Sequence, residues 1–315
     1  MREIKIIEVK SELGAGTRGA SLGVDAIKIA ALDFGSRYFK KYNSVEVANE
    51  NHLLLEATGS QYAKRISGVL TIAERVAEEV AKTINQKVFP IVLAGDHSSS
   101  AGTISGIKKT YPKSKLGIIW IDAHADLHSP YTTPSGNLHG MPLAMVLDED
   151  NIEQKVNMLD QETMNYWYQL KNIGNIAPKI TYQDLVFISV RDTEGPEEHL
   201  IKKNNIKSFS TADIRKRGVE KVAIEALQYL DNCDLIYVSF DVDSMDAAIS
   251  KGTGTPVTNG ITEREAGNLV SRLMTSDKVC CFEIVEVNPT LDKENLMAEN
   301  AFEILVRATN SLIND

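Results

Sequence analysis

Cysteine is scarce in this sequence, and long apolar runs are missing from it altogether. The 315 residues include three cysteines, Cys233, Cys280 and Cys281, which are too few for a disulfide scaffold and have no metal-binding spacing. No stretch approaches the ~18 consecutive apolar residues that a membrane-spanning helix needs. The first ten residues, MREIKIIEVK, mix charged and apolar side chains and lack the apolar core of a signal peptide. We therefore expect a cytoplasmic protein that makes no use of a membrane.

Basic residues are also few relative to acidic ones. The sequence has 34 Lys and Arg against 43 Asp and Glu, which gives a formal net charge of −9. This balance argues against a nucleic-acid-binding protein, since such proteins need a basic surface, and it mildly favours cationic ligands. The hydrophobic fraction of 43% and the charged fraction of 24% are typical of a globular domain and not of a disordered chain.

Short apolar runs alternate with helical patterns along the whole chain. The predicted strands are Ile4–Val9, Val88–Ala94, Leu116–Ile121, Asp184–Val190, Leu235–Phe240 and Val279–Val285. The predicted helices are Val24–Phe34, Gln61–Ile84, Thr103–Lys109, Val219–Leu230, Glu263–Met274 and Asn295–Leu312. Residues 118–121 are all apolar, as in strands that are covered on both faces. The alternation predicts an α/β fold, in which a parallel sheet carries helices on both faces in three α/β/α layers.

The chain shows no sign of division into separate domains. No Pro-, Gly- or Ser-rich linker interrupts it, and no repeat of ~20–50 residues is visible. The least regular part is residues 124–183, where a loop is followed by helix and loop over Asn151–Lys179. We therefore expect residues 1–315 to form a single domain, with this segment at one end of it.

Histidines and aspartates concentrate where predicted strands end. Three motifs occupy such positions: GDH at 95–97, DAHAD at 122–126 and DVD at 241–243. Residues two apart in an extended chain point to the same side, and open α/β sheets place their ligand sites at the carboxyl ends of the strands. We expect Asp96 to point away and to have a structural role. The six residues expected to converge are His97, Asp122, His124, Asp126, Asp241 and Asp243.

The charge of this predicted cluster favours a metal site. Four carboxylates in a desolvated crevice would repel one another and take up protons unless cations neutralise them. Oxygen ligands with two imidazoles suit Mn²⁺, with Mg²⁺, Fe²⁺, Co²⁺, Ni²⁺ and Zn²⁺ as other candidates. The ligands are too many for one open site, so two ions ~4 Å apart, bridged by carboxylates and a hydroxide, fit better. Taken singly, Asp126 or Asp243 could instead cap a helix, but three motifs at strand ends favour the metal interpretation.

These motifs resemble those of the ureohydrolases, the arginase and agmatinase family. The family patterns GGDHS, DAHxD and SFDxDxxDP correspond to AGDHS at 94–98, DAHAD at 122–126 and SFDVDSMDA at 239–247. The similarity extends from Gly14–Gly23 to Glu286–Pro289 and so covers nearly the whole chain. Within the family, the SGNLHG sequence at 135–140 is typical of the arginase branch, since agmatinases usually lack it.

The resemblance implies a binuclear manganese hydrolase that cleaves L-arginine to L-ornithine and urea through attack of a hydroxide shared by the two ions. The six convergent residues would bind two Mn²⁺, for which Co²⁺, Ni²⁺ or Fe²⁺ could substitute. Asp126 would also pass a proton to the leaving amine, and His139 would exchange protons with solvent. Glu286 would pair with the guanidinium group. The resemblance further implies a homo-oligomer, either a trimer or a hexamer.

Other site residues follow from the resemblance with alternatives beside them. Thr255 would line the guanidinium pocket, or it could belong to a turn. Ser135 and Asn137 would bind the substrate's α-carboxylate, or they could form a plain turn. His139 could instead cap a backbone carbonyl, and Glu286 could pair with a structural arginine.

The sequence departs from arginases mainly where they hold the substrate. His128 stands where arginases usually have Asn, and it could pair with a carboxylate, bind a metal or be a loop residue. The segment RDTEGPEEH at 191–199 is one residue longer than usual and has Glu where Asp is usual. Glu194 is the candidate contact for the substrate's ammonium group, with Glu197 or Glu198 assisting.

The reaction type is therefore better defined than the substrate. The metal loop ends in Asp246-Ala247 instead of Asp-Pro, which we expect to change only loop stiffness. Alternatives to arginine are other guanidino or formimino compounds: agmatine, guanidinobutyrate, guanidinopropionate and formimidoylglutamate. A different alternative is a non-catalytic, metal-dependent sensor or assembly subunit, although such a protein should have lost metal ligands and none is missing here.

Overall fold

Eight parallel strands form one sheet in the computed structural model, which describes residues 2–313. The strands are β1 (Ile4–Val9), β2 (Asn43–Glu46), β3 (Phe89–Ala94), β4 (Leu116–Ile121), β5 (Leu185–Ile188), β6 (Lys207–Phe209), β7 (Leu235–Asp241) and β8 (Val279–Val285). Their order across the sheet is β2-β1-β3-β8-β7-β4-β5-β6, and every neighbouring pair is parallel. The carboxyl ends of all eight strands therefore lie along one edge of the sheet.

Helices cover both faces of the sheet. They are α1 (Gly23–Asp33), α2 (Tyr38–Lys41), α3 (Ile66–Asn85), α4 (Ser100–Thr110), α5 (Pro142–Leu147), α6 (Gln161–Lys171), α7 (Gly195–Asn204), α8 (Thr211–Arg217), α9 (Val219–Tyr229), α10 (Glu263–Leu273) and α11 (Leu296–Ile313). Apolar side chains of α1, α9, α10 and α11 pack on one face, and those of α3, α4, α5 and α6 pack on the other. No helix within residues 2–313 combines the length and apolar character needed to cross a membrane.

The central strands are apolar throughout because both of their faces are covered. In β4, Ile119 and Ile121 pack towards α1, α9, α10 and α11, whereas Ile118 and Trp120 pack towards α3 and α4. All four side chains are fully buried. This two-residue alternation is the geometry of an extended chain between two apolar layers, and it confirms the predicted three-layer arrangement.

The six predicted strands are confirmed to within two residues at each end, but two strands were not predicted. β2 lies at one edge of the sheet and has mostly exposed residues, and β6 at the other edge is only three residues long. Edge strands with solvent on one side do not need the apolar runs that identify central strands. Helix α3 begins at Ile66 and not at Gln61, since Arg65 has a left-handed backbone with φ 56°.

Two glycines allow α3 and α4 to pack closely. A Cβ at Gly102 would lie 2.5 Å from the carbonyl oxygen of Ala73, and one at Gly106 would lie 2.6 Å from that of Ala77. Because these atoms belong to the backbone of α3, a side chain at either position would push the helices apart. This packing supports α4, which follows the loop that carries His97.

Replacement of Gly106 by alanine tests this packing. Gly106→Ala is expected to lower the free energy of unfolding by about 1–3 kcal/mol through overpacking, although alanine favours helix by about 1 kcal/mol. Urea unfolding followed by circular dichroism measures the change. Gly195→Ala is the control, since a Cβ at Gly195 meets no atom within 4 Å. An equal effect of both substitutions would contradict the close-packing explanation.

Candidate active site

Five neighbouring strands bring the predicted site residues together. In the order β3-β8-β7-β4-β5, these strands occupy the middle of the sheet, and their carboxyl ends face the same crevice. His97 follows β3, Asp122 follows β4, Asp241 ends β7 and Glu286 follows β8. Residues far apart in sequence thus meet because the strands are parallel and adjacent. This position agrees with the general rule for ligand sites in open α/β sheets.

The first group of side chains is centred on His97. Its Nδ1 atom lies 3.1 Å from Asp122 Oδ2, 3.0 Å from Asp126 Oδ2 and 3.2 Å from Asp241 Oδ2. The imidazole is stacked on Trp120 with a centroid distance of 4.0 Å, and its Nε2 lies 2.8 Å from Ser239 Oγ. Stacking and the Ser239 contact fix the ring, so that Nδ1 points at the three carboxylates.

The second group is centred on His124. Its Nδ1 atom lies 3.0 Å from Asp243 Oδ2 and 3.6 Å from Asp122 Oδ1. Asp122 therefore contributes one oxygen to each group and connects the two. This is the arrangement that a pair of cations with a shared carboxylate requires.

Backbone N–H groups hold the carboxylates in place. Ala123 N donates to Asp243 Oδ1 at 3.1 Å, and Asp243 N donates to Asp241 Oδ1 at 2.8 Å. His124 N donates to Asp122 Oδ1 at 2.7 Å. In both Asp241 and Asp243, Oδ1 accepts a backbone hydrogen bond and Oδ2 faces a histidine.

Burial and mutual repulsion perturb the titration of this cluster. Burial, together with the charge of Asp122, raises the pKa of Asp126 to about 7. Burial and the charges of Asp243 and Asp122 raise the pKa of Asp241 well above its usual value. Burial opposes charge on His97, but contacts with Asp122, Asp126 and Asp241 raise the pKa of its imidazole well above 6.5. In the absence of metal, bound protons must therefore neutralise part of the negative charge of these carboxylates.

Two unsatisfied polar atoms show that these residues fit metal ions. His97 Nδ1 and Asp122 Oδ2 are both buried, and neither has a hydrogen-bond partner among the described residues despite their closeness. A cation between them would satisfy both atoms. One set of ligand atoms comes from His97, Asp122 and Asp241, and the other comes from Asp122, His124 and Asp243. Each set could hold one ion.

A cavity of about 270 Å³ opens from the metal ligands towards solvent. Glu286 and His139 lie together on one side of the site. Glu286 Oε1 accepts hydrogen bonds from His139 Nδ1 at 3.1 Å and from the backbone N–H of His97 at 3.0 Å. Burial lowers the pKa of His139, but the charge of Glu286 and its hydrogen bond raise that pKa to about 9. Glu286 thus pairs with a histidine and with no arginine among the described residues, and His139 contacts this carboxylate instead of capping a carbonyl.

Another part of the cavity wall carries His128 with two glutamates. His128 Nε2 lies 3.5 Å from Glu194 Oε2 and 3.7 Å from Glu197 Oε2, and its Nδ1 lies 3.1 Å from Thr132 Oγ1. Burial lowers the pKa of His128 and raises that of Glu197 to about 7. Neither metal-ligand set includes His128, and its Nε2 has no hydrogen-bond partner among the described residues, so its contact with substrate stays a prediction. Glu198 lies outside the cavity and pairs with Lys202, so it does not assist Glu194.

Other predicted residues differ in how close to the cavity they lie. Thr255 lines it and donates a hydrogen bond to Asp243 Oδ2 at 3.0 Å. Ser135 and Asn137 do not line it, and their contact with substrate stays a prediction. Asp96 is structural as expected, because it accepts backbone N–H groups from Gly14 and Ser98 at 3.0 Å each.

The sequence analysis missed one carboxylate of the cavity wall. Asp192 Oδ2 lies 3.7 Å from His124 Nε2, and this side chain is 64% exposed. The signal was its place in the acidic segment 191–199, two residues before Glu194. The cavity wall beyond the metal ligands is therefore more acidic than predicted.

A sequence model of the arginase family matches residues 2–310. The chain belongs to the arginase family. Arginase from Bacillus subtilis (strain 168) is 35% identical over 305 residues, which cover 96% of each chain. Arginase from Brevibacillus brevis is 34% identical over 308 residues, again 96% of each chain. The crystal structure of arginase from Bacillus caldovelox has a TM-score of 0.85 to this structure at 31% identity, covering 100% of this chain and 99% of that one.

Membership in the arginase family confirms the fold and the class of activity predicted from the sequence. The parallel sheet with helices on both faces matches the arginase structures, and the protein is an amidinohydrolase of this family. The family comparison does not favour the alternatives of a sensor or of another substrate.

Metal binding should stabilise the folded protein through Asp122. A cation that binds only the folded state adds about 2.7 kcal/mol at a hundred times its Kd, which corresponds to roughly 4–8 °C in Tm. We expect Mn²⁺ to raise the Tm of chelator-treated wild type by this amount. Asp122→Asn should lose most of the increase, since Asp122 belongs to both ligand sets. Thermal unfolding with and without Mn²⁺ measures it.

The matched control is Asp192→Asn, which removes a nearby carboxylate that belongs to neither ligand set. This variant should keep the increase in Tm. A wild type that does not respond to Mn²⁺, or equal losses in both variants, would contradict the assignment of Asp122.

Proposed function

We propose that this protein is a binuclear manganese arginase that hydrolyses L-arginine to L-ornithine and urea. The observation that carries the proposal is the position of Glu286. Its buried carboxylate lies beside the two imidazole–carboxylate groups, where His97 N donates to it at 3.0 Å. A guanidinium group bound to Glu286 would therefore have its carbon next to the metal ligands.

The ligand set supports manganese as the metal. His97, Asp122, Asp126 and Asp241 would hold one ion, and Asp122, His124 and Asp243 would hold the other. Carboxylate-rich sites with some imidazole suit Mn²⁺. When bound, two such ions would lower the pKa of a water molecule to near neutrality and so supply a hydroxide nucleophile at neutral pH.

Glu286 has one oxygen available for the substrate. Oε1 already accepts from His97 N and His139 Nδ1, which leaves Oε2 to accept from the guanidinium. Gly254 lies close to this oxygen, since a Cβ there would be 3.7 Å from Oε2 and 2.9 Å from Thr17 Oγ1. A charge-assisted contact with Glu286 would orient the planar guanidinium for attack.

Two residues would move protons in the proposed reaction. Asp126 would accept a proton from the attacking water and pass it to the leaving amine. His139 lies further out, with 18% of its side chain exposed, and would exchange the proton with solvent. Its hydrogen bond to Glu286 keeps it oriented between the substrate and bulk water.

The outer part of the cavity would bind the amino-acid end of arginine. Glu194 and Glu197 present carboxylates suited to an α-ammonium group. His128, Ser135 and Asn137 would contact the α-carboxylate. The Glu194 side chain is 55% exposed, and His128 is its one ion-pair partner among the described residues. It can therefore turn towards substrate.

The direct test is urea release by Mn²⁺-loaded protein. L-arginine, agmatine, guanidinobutyrate and guanidinopropionate are assayed in parallel, and preference for arginine is expected. Glu286→Gln should lower kcat/KM by at least about thirtyfold, because the guanidinium charge loses its partner. Glu198→Gln is the matched control and should keep wild-type activity, since Glu198 lies outside the cavity.

Each outcome of this assay has a separate meaning. Preference for another guanidine would overturn arginine as the substrate and leave the metal chemistry in place. No urea from any compound, with two metals bound, would contradict the proposed activity. Equal kcat/KM values for Glu286→Gln and the wild type would contradict the role proposed for Glu286, but not the proposed reaction.

A further inference from the structure

The cavity contains no lysine or arginine to receive a carboxylate. Beyond the metal ligands its wall carries Asp192, Glu194 and Glu197 beside His128 and His139, and none of its lining residues is a lysine or arginine. An α-amino acid would bring a carboxylate into this acidic surrounding. Like charges at such distances disfavour binding unless a cation is nearby.

Three arginines on neighbouring chain segments are engaged elsewhere. The guanidinium of Arg18 donates to Glu12 O and Ala15 O, and Arg65 Nε donates to Leu53 O. The guanidinium of Arg191 donates to backbone carbonyls, including those of Ser189, Asp243, Val257 and Thr258. Arg18 and Arg191 thus hold the backbone, and Arg65 lines a separate cavity with Leu53.

Lys64 differs from these arginines. Its Nζ donates one hydrogen bond, to Asn137 Oδ1 at 3.2 Å, and has no carboxylate within ion-pair distance among residues 2–312. An ammonium group has three donors, so two remain for a ligand. Lys64 thus carries an uncompensated positive charge on a side chain that is partly exposed.

The backbone fixes Lys64 beside the loop that reaches the cavity. Lys64 N donates to Gly136 O at 2.9 Å, and a Cβ at Gly136 would lie 2.0 Å from Gln61 O. Two residues after Asn137, His139 lines the cavity. The backbone contact alone ties the two segments together, so the Lys64 ammonium is not needed as a tether.

We propose that Lys64 binds the α-carboxylate of the substrate together with Asn137, and that it determines preference for α-amino acids over guanidines without a carboxylate. The inference rests on the proposed function, because it concerns the substrate of the same site. The ammonium supplies a permanent positive charge, which none of the residues lining the cavity has. Lys64 is accordingly a specificity-determining residue for this reaction.

The test compares L-arginine with L-argininamide, which differ in the charge of one group. Lys64→Met is expected to raise KM for arginine about tenfold, the effect of losing one charged contact, with kcat changed by less than about twofold. KM for argininamide should stay within about twofold. Titration calorimetry with L-ornithine should show a similar weakening of Kd, independently of turnover.

Two further variants separate charge from structure. Lys64→Arg keeps the positive charge and should retain most of the affinity for arginine. Lys155→Met removes a charge from another exposed lysine, whose Nζ lies 5.0 Å from the ring of Tyr131, and should leave all constants unchanged.

Several results would overturn the inference. One is an unchanged KM for arginine in Lys64→Met, and another is an equal change of KM for arginine and argininamide in this variant. A third is a large decrease in Tm in both Lys64→Met and Lys64→Arg, which would show that the lysine is needed for folding. A wild type that releases no urea from arginine would overturn the proposed function and this inference with it. An active wild type with equal changes for both compounds overturns the inference alone.

Discussion

Repulsion among four buried carboxylates is the constraint on which the rest of this site depends. Two unit charges 4 Å apart interact with about 4 kcal/mol at the effective dielectric near a protein surface, and more when they are buried. Asp122, Asp126, Asp241 and Asp243 are nevertheless held together by parallel strands that meet at one edge of the sheet. Backbone N–H groups offset part of this repulsion. In the absence of metal, protonation of two histidines offsets more of it. Divalent cations bound by these residues would complete the charge balance, and they would also supply the chemistry of the proposed reaction.

The sequence predicted the middle of the fold better than its edges. Strands between two helical layers must be apolar on both faces, so runs such as 118–121 identified them directly. β2 and β6 have solvent on one side, and their sequences NSVE and KSF carry no such signal. The start of α3 was missed for a local reason, since the left-handed backbone of Arg65 leaves little trace in the residue pattern.

In the candidate site, too, one part was easier to predict from the sequence than the other. The predicted metal ligands are brought together because each motif directly follows a strand, which makes its position a consequence of the sheet. The outer cavity depends on contacts between loops distant in sequence, such as that of Lys64 with Asn137, 73 residues away. No local pattern predicts such a contact. Lys64 could therefore be found only in the structure, whereas Asp192 had a sequence signal in the acidic segment 191–199. Ser135 and Asn137 do not line the cavity, although the family motif suggested that they would.

The most direct measurement is a crystal structure of the Mn²⁺-loaded protein with anomalous scattering at the manganese edge. The charge balance described here predicts two anomalous peaks, one within about 2.0–2.6 Å of His97 Nδ1 and the other at that distance from His124 Nδ1. Both peaks should contact the carboxylate of Asp122. A single peak, or a pair of peaks that leaves Asp122 without a metal contact, would contradict the claim that this cluster holds two cations through one shared carboxylate.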